Sequence, residues 1–144
     1  AKNNQQLGTH SLMRFEGPDG KLNQLQKATA SQRSHSIFDG VIEVPQIAQK
    51  TKASQLSRNL LLSNKARIDT KPQLEIVADD VHCAHGATVS QLQENELFYL
   101  RSRGISAAQA TSLILKGYFQ EIVEALPLEA SRWNILKKIL ASVN

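Results

Sequence analysis

The segment 78–88 concentrates the side chains that are able to do chemistry. It contains Cys83, the only cysteine among 144 residues, and two of the four histidines, His82 and His85, next to a pair of aspartates. Thiolates, imidazoles and carboxylates are the ligands that proteins offer to metal ions, and a thiol beside an imidazole can also act as a nucleophile. We therefore expect any functional site of this chain to lie in this segment.

The spacing of Cys83 and His85 indicates a metal-binding face. Alternate residues of a strand share a face, so these two side chains point one way and His82 points the other. Their backbones are about 6.6 Å apart, which lets both groups lean onto one ion. A mononuclear structural site needs four ligands, so this face supplies half of one. The other ligands would come from Asp79, Asp80, His10, His35 or another chain. If this chain supplied them all, it would be an autonomous metal-binding protein.

Two other interpretations of Cys83 and His85 stay open. A lone cysteine is most often a small buried hydrophobe, in which case both residues are purely structural. A Cys–His nucleophilic pair would need a third group that orients the base and an oxyanion hole, and the sequence shows neither. The adjacent aspartates indicate a turn, since neighbouring residues of a strand point to opposite faces. We expect a chain that is not an enzyme.

The charge distribution disfavours nucleic acid as a partner. Seventeen Lys and Arg against thirteen Asp and Glu give a net charge of +4. Residues 48–71 hold six of these cations and one aspartate, but residues 73–96, which include Cys83, hold five carboxylates and no cation. Phosphates would be repelled there, and the basic block lacks the interleaved aromatics that stack bases.

Size and composition further narrow the class of protein to which the chain can belong. The length suits one domain with one core, and no apolar run approaches the about 20 residues of a membrane helix. One cysteine cannot form an internal disulfide, which agrees with a reducing compartment such as the cytoplasm or the plastid stroma. The chain begins at Ala1 without a methionine, so we expect a piece of a longer protein.

Residues 1–92 show short apolar runs about eight residues apart, which are typical of strands. The Gly-Pro-Asp-Gly turn at 17–20 predicts a hairpin between 11–15 and 22–25. Asp39-Gly40 and residues 69–72 separate further runs, and 48–55 is expected as a loop. Strands this short need stacked neighbours, which a small sandwich or the coils of a parallel β-solenoid would provide.

Residues 93–144 are expected to be a helical domain. A helix over 94–103 should stop at Gly104, and Ser106 with Gln109 predicts a capping box. The second helix should run over 107–125 and the third over about 128–143, with its apolar residues from Leu128 to Val143 broadly on one side. The expected apolar stripe of the second helix comprises Ala110, Leu113, Ile114, Gly117, Tyr118, Ile122 and Ala125. Gly117 on that stripe would allow another backbone to approach closely.

Three sequence elements resemble those of a known family. They are Ile-Asp-Thr-Lys-Pro-Gln-Leu-Glu-Ile at 68–76, Cys-Ala-His-Gly-Ala-Thr at 83–88 and Leu-Phe-Tyr-Leu-Arg-Ser-Arg-Gly-Ile at 97–105. In order and spacing they are similar to the SufD branch of the SufB/SufD family of iron–sulfur cluster assembly proteins. The likeness covers roughly residues 30–126.

The resemblance implies a fold and a role. Residues 1–92 would form the terminal coils of a right-handed parallel β-helix, and 93–144 a small C-terminal helical domain. The chain would be the C-terminal portion of a non-catalytic scaffold subunit of the SUF complex. A SufB-like paralogue would pair with the final coils, and a SufC-like ATPase would dock on helices 94–126.

The resemblance also implies roles for the two site residues. A transient iron–sulfur cluster would form at the interface with SufB, with His85 as a ligand and Cys83 matching the cysteine of the same element. Both are therefore predicted as metal and cluster ligands, and the isolated chain should carry no cofactor. The unpaired edge of its first coil also predicts a homodimer or higher assembly of the isolated chain.

Overall fold

The computed structural model describes residues 1–143, without the side chains of Leu128, Ser131, Arg132, Ser142 and Val143. Asn144, the end of the expected helical domain, lies outside the described residues. The chain divides into two compact units, Ala1–Gln91 and a second that begins at Leu92. The combination of strands followed by helices is confirmed. Every helix within residues 1–143 is too short or too polar to cross a membrane.

The first unit consists of two parallel three-stranded sheets. Its strands are β1 (Gln6–Arg14), β2 (Lys21–Ala30), β3 (His35–Val44), β4 (Lys52–Leu61), β5 (Arg67–Ile76) and β6 (His82–Gln91). One sheet has the order β1-β3-β5 and the other β2-β4-β6, so successive strands alternate between the sheets. Each strand pairs with the next but one along the chain.

The expected hairpin is therefore wrong. The turn at 17–20 carries the chain from β1 into the other sheet, and β1 pairs with β3, beginning at Gln6 opposite His35. Turn residues specify that the chain bends, but they do not specify which strand it pairs with. The two sheets contact each other through side chains that face the gap between them. For example, the Thr70 hydroxyl of β5 donates to Ser57 Oγ of β4 at 2.8 Å.

The strands are also longer than the apolar runs predicted. Asp39-Gly40 lies inside β3, residues 69–72 lie inside β5, and β4 begins at Lys52 within the expected loop. Charged side chains of these strands, such as Asp39, Asp69 and Lys71, lie on the outer face, where the backbone ladder forms whatever the side chain is. Pro72 is tolerated because β5 is at the edge of its sheet.

The space between the sheets is apolar at one end and polar in the middle. The apolar end is a buried cluster of Ile42, Val44, Ala48, Ala53 and Ala78. Along β4 the buried side chains continue as Gln55, Ser57 and Asn59. Asn59 Nδ2 donates to Ser57 Oγ at 2.9 Å, so these polar groups partly satisfy one another.

The second unit contains α1 (Glu94–Ser102), α2 (Ala107–Glu124), a 3-10 helix (Leu128–Trp133) and α3 (Ile135–Val143). Gly104 follows α1 at a φ of 83°, a conformation that favours glycine. The capping box is confirmed, because the Gln109 N–H donates to Ser106 Oγ and the Ser106 N–H donates to Gln109 Oε1.

Two helical expectations are wrong. The buried residues of α2 are Ala110, Leu115 and Phe119, whereas Leu113 and Gly117 are exposed, so the buried stripe is rotated from the predicted one. Among the described residues no atom comes within 4 Å of a Cβ placed on Gly117. The third helix is interrupted at Asn134, where φ is 49°. The predicted placement of the Leu128 and Val143 side chains lies outside the described residues.

Candidate functional site

The candidate site lies on β6, which is an edge strand in the described part of the chain. Strand β6 pairs with β4 in parallel, and the register places Cys83 opposite Ala53 and His85 opposite Gln55. Ala53 and Gln55 are both buried, so this face of the sheet looks into the space between the two sheets. Cys83 and His85 therefore share the inward face of the last strand.

The two site residues differ in exposure. Cys83 is half-buried and packs against the apolar cluster, whereas His85 is exposed. Cys83 also borders an open depression of about 490 Å³, whose other lining residues include Lys52 and His82. His82 itself lies opposite the exposed Lys52, on the outer face of the sheet. The thiol is thus near solvent, although it belongs to the edge of the core.

Three of the other candidate ligands, His10, His35 and Asp79, have polar partners elsewhere. His10 Nδ1 lies 3.7 Å from Asp39 Oδ2, on the other sheet. Asp79 Oδ2 accepts a hydrogen bond from Gln46 Nε2 at 3.0 Å. Across residues 1–143, no group of three or more His, Cys, Asp and Glu side chains is arranged to hold a metal ion. Among the described residues, therefore, Cys83 and His85 have no third His, Cys, Asp or Glu side chain arranged beside them for one ion.

His35 belongs to a charged cluster that the sequence did not reveal. Its Nε2 donates to Asp69 Oδ2 at 2.7 Å, and Arg67 Nε donates to Asp69 Oδ1 at 3.0 Å. The hydrogen bond from Arg67, which contributes most, and the hydrogen bond from His35 hold the pKa of Asp69 below its ordinary value. Asp69 in turn raises the pKa of Arg67. His35 and Arg67 are opposite one another in the register of β3 and β5, so only the pairing brings the cluster together.

Comparison with known protein families identifies the chain. The family model described as "SUF system FeS cluster assembly, SufBD core domain" matches residues 1–118. This chain belongs to the SufBD family. The match covers all six strands, α1 and more than half of α2, and it includes Cys83 and His85.

Several relatives of the SufBD family are similar to most of this chain. An iron–sulfur cluster assembly SufBD family protein of Synechocystis is 49% identical over 120 residues, which are 83% of this chain and 26% of that protein. The iron–sulfur cluster assembly protein SufD of Escherichia coli is 44% identical over 116 residues, 81% of this chain and 27% of its own length. Arabidopsis thaliana ABCI7, named chloroplastic, is 40% identical over 126 residues, 87% of this chain and 26% of its own. The chain thus spans about a quarter of these relatives.

Proposed function

We propose that this chain is part of a non-catalytic, SufD-like scaffold subunit that works in SUF iron–sulfur cluster assembly. The observation that carries the proposal is the unfinished donor set on β6. Cys83 and His85 share a face of an edge strand, and residues 1–143 do not complete the set. The SufBD relatives are named iron–sulfur cluster assembly proteins, so we propose that the group bound by this donor set is an iron–sulfur cluster.

The strand arrangement supports a β-helix as the architecture of residues 1–92. Gln6 pairs with His35, which is 29 residues later, and His35 pairs with Arg67, which is 32 residues later. A regular period with two strands in each coil is what a parallel solenoid requires. Parallel crossover connections are right-handed in nearly all proteins, so the proposed helix is right-handed. Strands β5 and β6 then form its last coil in this chain.

The last coil is proposed as the surface that pairs with a SufB-like paralogue. An edge strand offers unpaired N–H and C=O groups to a second polypeptide. Such a partner would supply the ligands that are missing beside Cys83 and His85. Thiolate and imidazole are both established ligands of iron–sulfur centres, so the donor set fits this cargo. A homodimer of the isolated chain through the unpaired edge of its first coil is the competing assembly, and sedimentation would detect it.

The helices of residues 94–126 are proposed to dock a SufC-like ATPase. On α1 the Phe98 side chain is 72% exposed, and Tyr99 beside it is also exposed. Aromatic side chains at a surface are typical anchors of protein interfaces. Movement of the ATPase during its cycle would then reshape the interface that holds the cluster. We place the complex in the cytoplasm or the plastid stroma.

The test compares His85→Ala with His82→Ala in the complex with the SufB-like and SufC-like subunits. The two histidines lie on opposite faces of one strand, so His82→Ala is a matched control. We expect His85→Ala to lose most of the bound iron and acid-labile sulfide, and His82→Ala to retain the wild-type content. Equal cluster content in wild type and His85→Ala would overturn the proposal.

A structural role for Cys83 is the second candidate, because its side chain packs against the apolar cluster. A small buried hydrophobe needs no ligand function. Cys83→Ala separates the two roles, because it removes the thiol and keeps a small apolar side chain. Normal cluster content in Cys83→Ala, together with loss in His85→Ala, would leave His85 as the ligand that this chain contributes.

A further inference from the structure

The carboxamide of Gln55 is buried directly beside the candidate site. Gln55 is 1% exposed and projects from β4 into the space between the sheets. Its Nε2 donates to Gln24 Oε1 at 2.8 Å, and Gln24 Nε2 donates to Ser11 Oγ at 2.9 Å. Its Oε1 is buried and has no hydrogen-bond partner among the described residues. A buried amide oxygen without a donor is rare, so this atom calls for an explanation.

Gln55 lies between one strand that already accepts a hydrogen bond from its amide nitrogen and another that carries the candidate site. Strand β4 lies between β2 and β6, and Gln24 on β2 accepts the hydrogen bond of the Gln55 amide nitrogen. The oxygen on the other side of this planar group is therefore available to β6. The residue of β6 in register with Gln55 is His85, one strand spacing of about 4.8 Å away and on the same face.

His85 is the suitable donor at this position. Its neighbours on the inward face of β6 are Cys83 and Ala87, of which the first has a weak S–H donor and the second has none. An imidazole has one N–H donor and one acceptor nitrogen when it is neutral. A hydrogen bond from one nitrogen would leave the lone pair of the other for a ligand.

We propose that Gln55 is a positioning residue for His85: Gln55 Oε1 accepts the hydrogen bond of one imidazole nitrogen and directs the other toward the cluster. This inference rests on the proposed function, in which His85 is a ligand. Outer hydrogen-bond partners of ligating histidines set the tautomer and the orientation of the ring. The row Gln24, Gln55 and His85 then runs through all three strands of one sheet.

Gly40 keeps the carboxamide in place from the opposite sheet. A Cβ at Gly40 would lie 2.6 Å from Gln55 Nε2 and 2.5 Å from the Phe38 ring. The amide therefore occupies space that only glycine leaves open at this point of β3. This close fit fixes the position of Gln55 before any ligand is bound.

The test measures the tautomer of His85 by 15N NMR of its imidazole in this chain at a pH where histidine is neutral. Wild type should show one dominant tautomer. Gln55→Met keeps the side-chain size but removes the acceptor, and it should give the mixture typical of a free imidazole. Gln55→Glu restores an acceptor and should restore the single tautomer. Gln26→Met changes an inward-facing glutamine one step along β2, in register with Ser57, and should leave His85 unchanged.

The His82 resonances in the same spectra report whether each variant is folded. If Gln55→Met does not fold, the wild-type spectrum alone still tests the proposal. Comparable populations of the two His85 tautomers in wild type would overturn it. An unchanged tautomer in folded Gln55→Met would also overturn it.

Cluster content in the complex separates this inference from the proposed function. Gln55→Met should lower the affinity for the cluster by about tenfold or more, as loss of an outer partner does at metal sites. If His85→Ala retains the cluster, the proposed function fails whatever the tautomer shows. If His85→Ala loses the cluster but Gln55→Met changes neither tautomer nor content, only the positioning role fails.

Discussion

Cys83 and His85 lie two residues apart on the same inward face of β6, yet Cys83 packs against the apolar cluster and His85 is exposed. The imidazole can meet a partner as the chain stands, but the thiol is reached only at the edge of the core. The two groups should therefore respond differently to reagents and to assembly.

Alkylation of Cys83 by iodoacetamide tests this difference. We expect the thiol to react more slowly in the folded chain than in denaturant, because most of its surface is covered, but to react to completion, because it borders an open depression. Binding of a SufB-like partner at β6 should slow the reaction further. Mass spectrometry over time measures both rates, and equal rates in all three states would contradict the expectation.

Gly40→Ala should destabilise the strand unit by about 1–3 kcal/mol, the usual effect of overpacking. The added Cβ would meet the Phe38 ring and the Gln55 amide at 2.5 and 2.6 Å. Gly17→Ala is the control, since no described atom lies within 4 Å of its Cβ. Urea unfolding should be followed by the circular dichroism of the strands, because the tryptophan and both tyrosines lie in the second unit. Equal midpoints for the two variants would show that the space at Gly40 is not needed.

Asp69 should make the stability of the strand unit depend on pH in the acid range. Its pKa in the folded chain lies below the ordinary value of 3.8, through the hydrogen bonds of Arg67 and then His35. The unfolded state thus binds the proton more tightly, so the contribution is complete above the unfolded pKa and is lost as pH falls through the folded pKa. Asp69→Asn should remove this part of the pH dependence.

The measurement for Asp69 is the free energy of unfolding against pH for wild type and Asp69→Asn. The difference between them should shrink as pH falls below 3.8. Glu75→Gln changes a carboxylate of the same strand and is the control. A difference that stays constant across the acid range would show that the cluster does not favour the ionised form of Asp69.

The two glycines of the helical unit should respond to alanine in opposite directions. Gly117 lies within α2, where no described atom meets an added Cβ, so Gly117→Ala should stabilise the helix by about 0.5–1 kcal/mol. Gly104 has a φ of 83°, and Gly104→Ala should destabilise the unit by about 1–2 kcal/mol. Thermal unfolding followed by Trp133 fluorescence measures both, and a loss of stability in Gly117→Ala would point to a contact that the described residues do not show.

The sequence predicted what depends on local contacts. The capping box of Ser106 and Gln109 and the stop at Gly104 lie within a few residues of each other, so their side chains reveal the helix ends. The shared face of Cys83 and His85 likewise follows from strand alternation alone. These features need no knowledge of which strands are neighbours.

What could not be predicted depends on pairing across about 30 residues. The turn at 17–20 gave no sign that β1 pairs with β3, and the loop expected over 48–55 gave no sign that Gln55 is buried. The burial of Gln55, Ser57 and Asn59 follows from the strand pairing, which places their side chains between the two sheets. The role inferred for Gln55 appears only once the register places it opposite His85.

Phe98→Ser should weaken binding of a SufC-like ATPase while leaving the fold intact. The side chain is 72% exposed on a helix that has no buried residue, so its removal takes little from packing within the unit. An aromatic anchor at the centre of an interface contributes about 2 kcal/mol or more, which corresponds to a loss of affinity above tenfold. Trp133→Ser is the matched control, because Trp133 is 55% exposed but lies outside helices 94–126. Isothermal titration calorimetry gives both affinities. Unchanged binding by folded Phe98→Ser, or equal losses in both variants, would remove α1 from the docking surface.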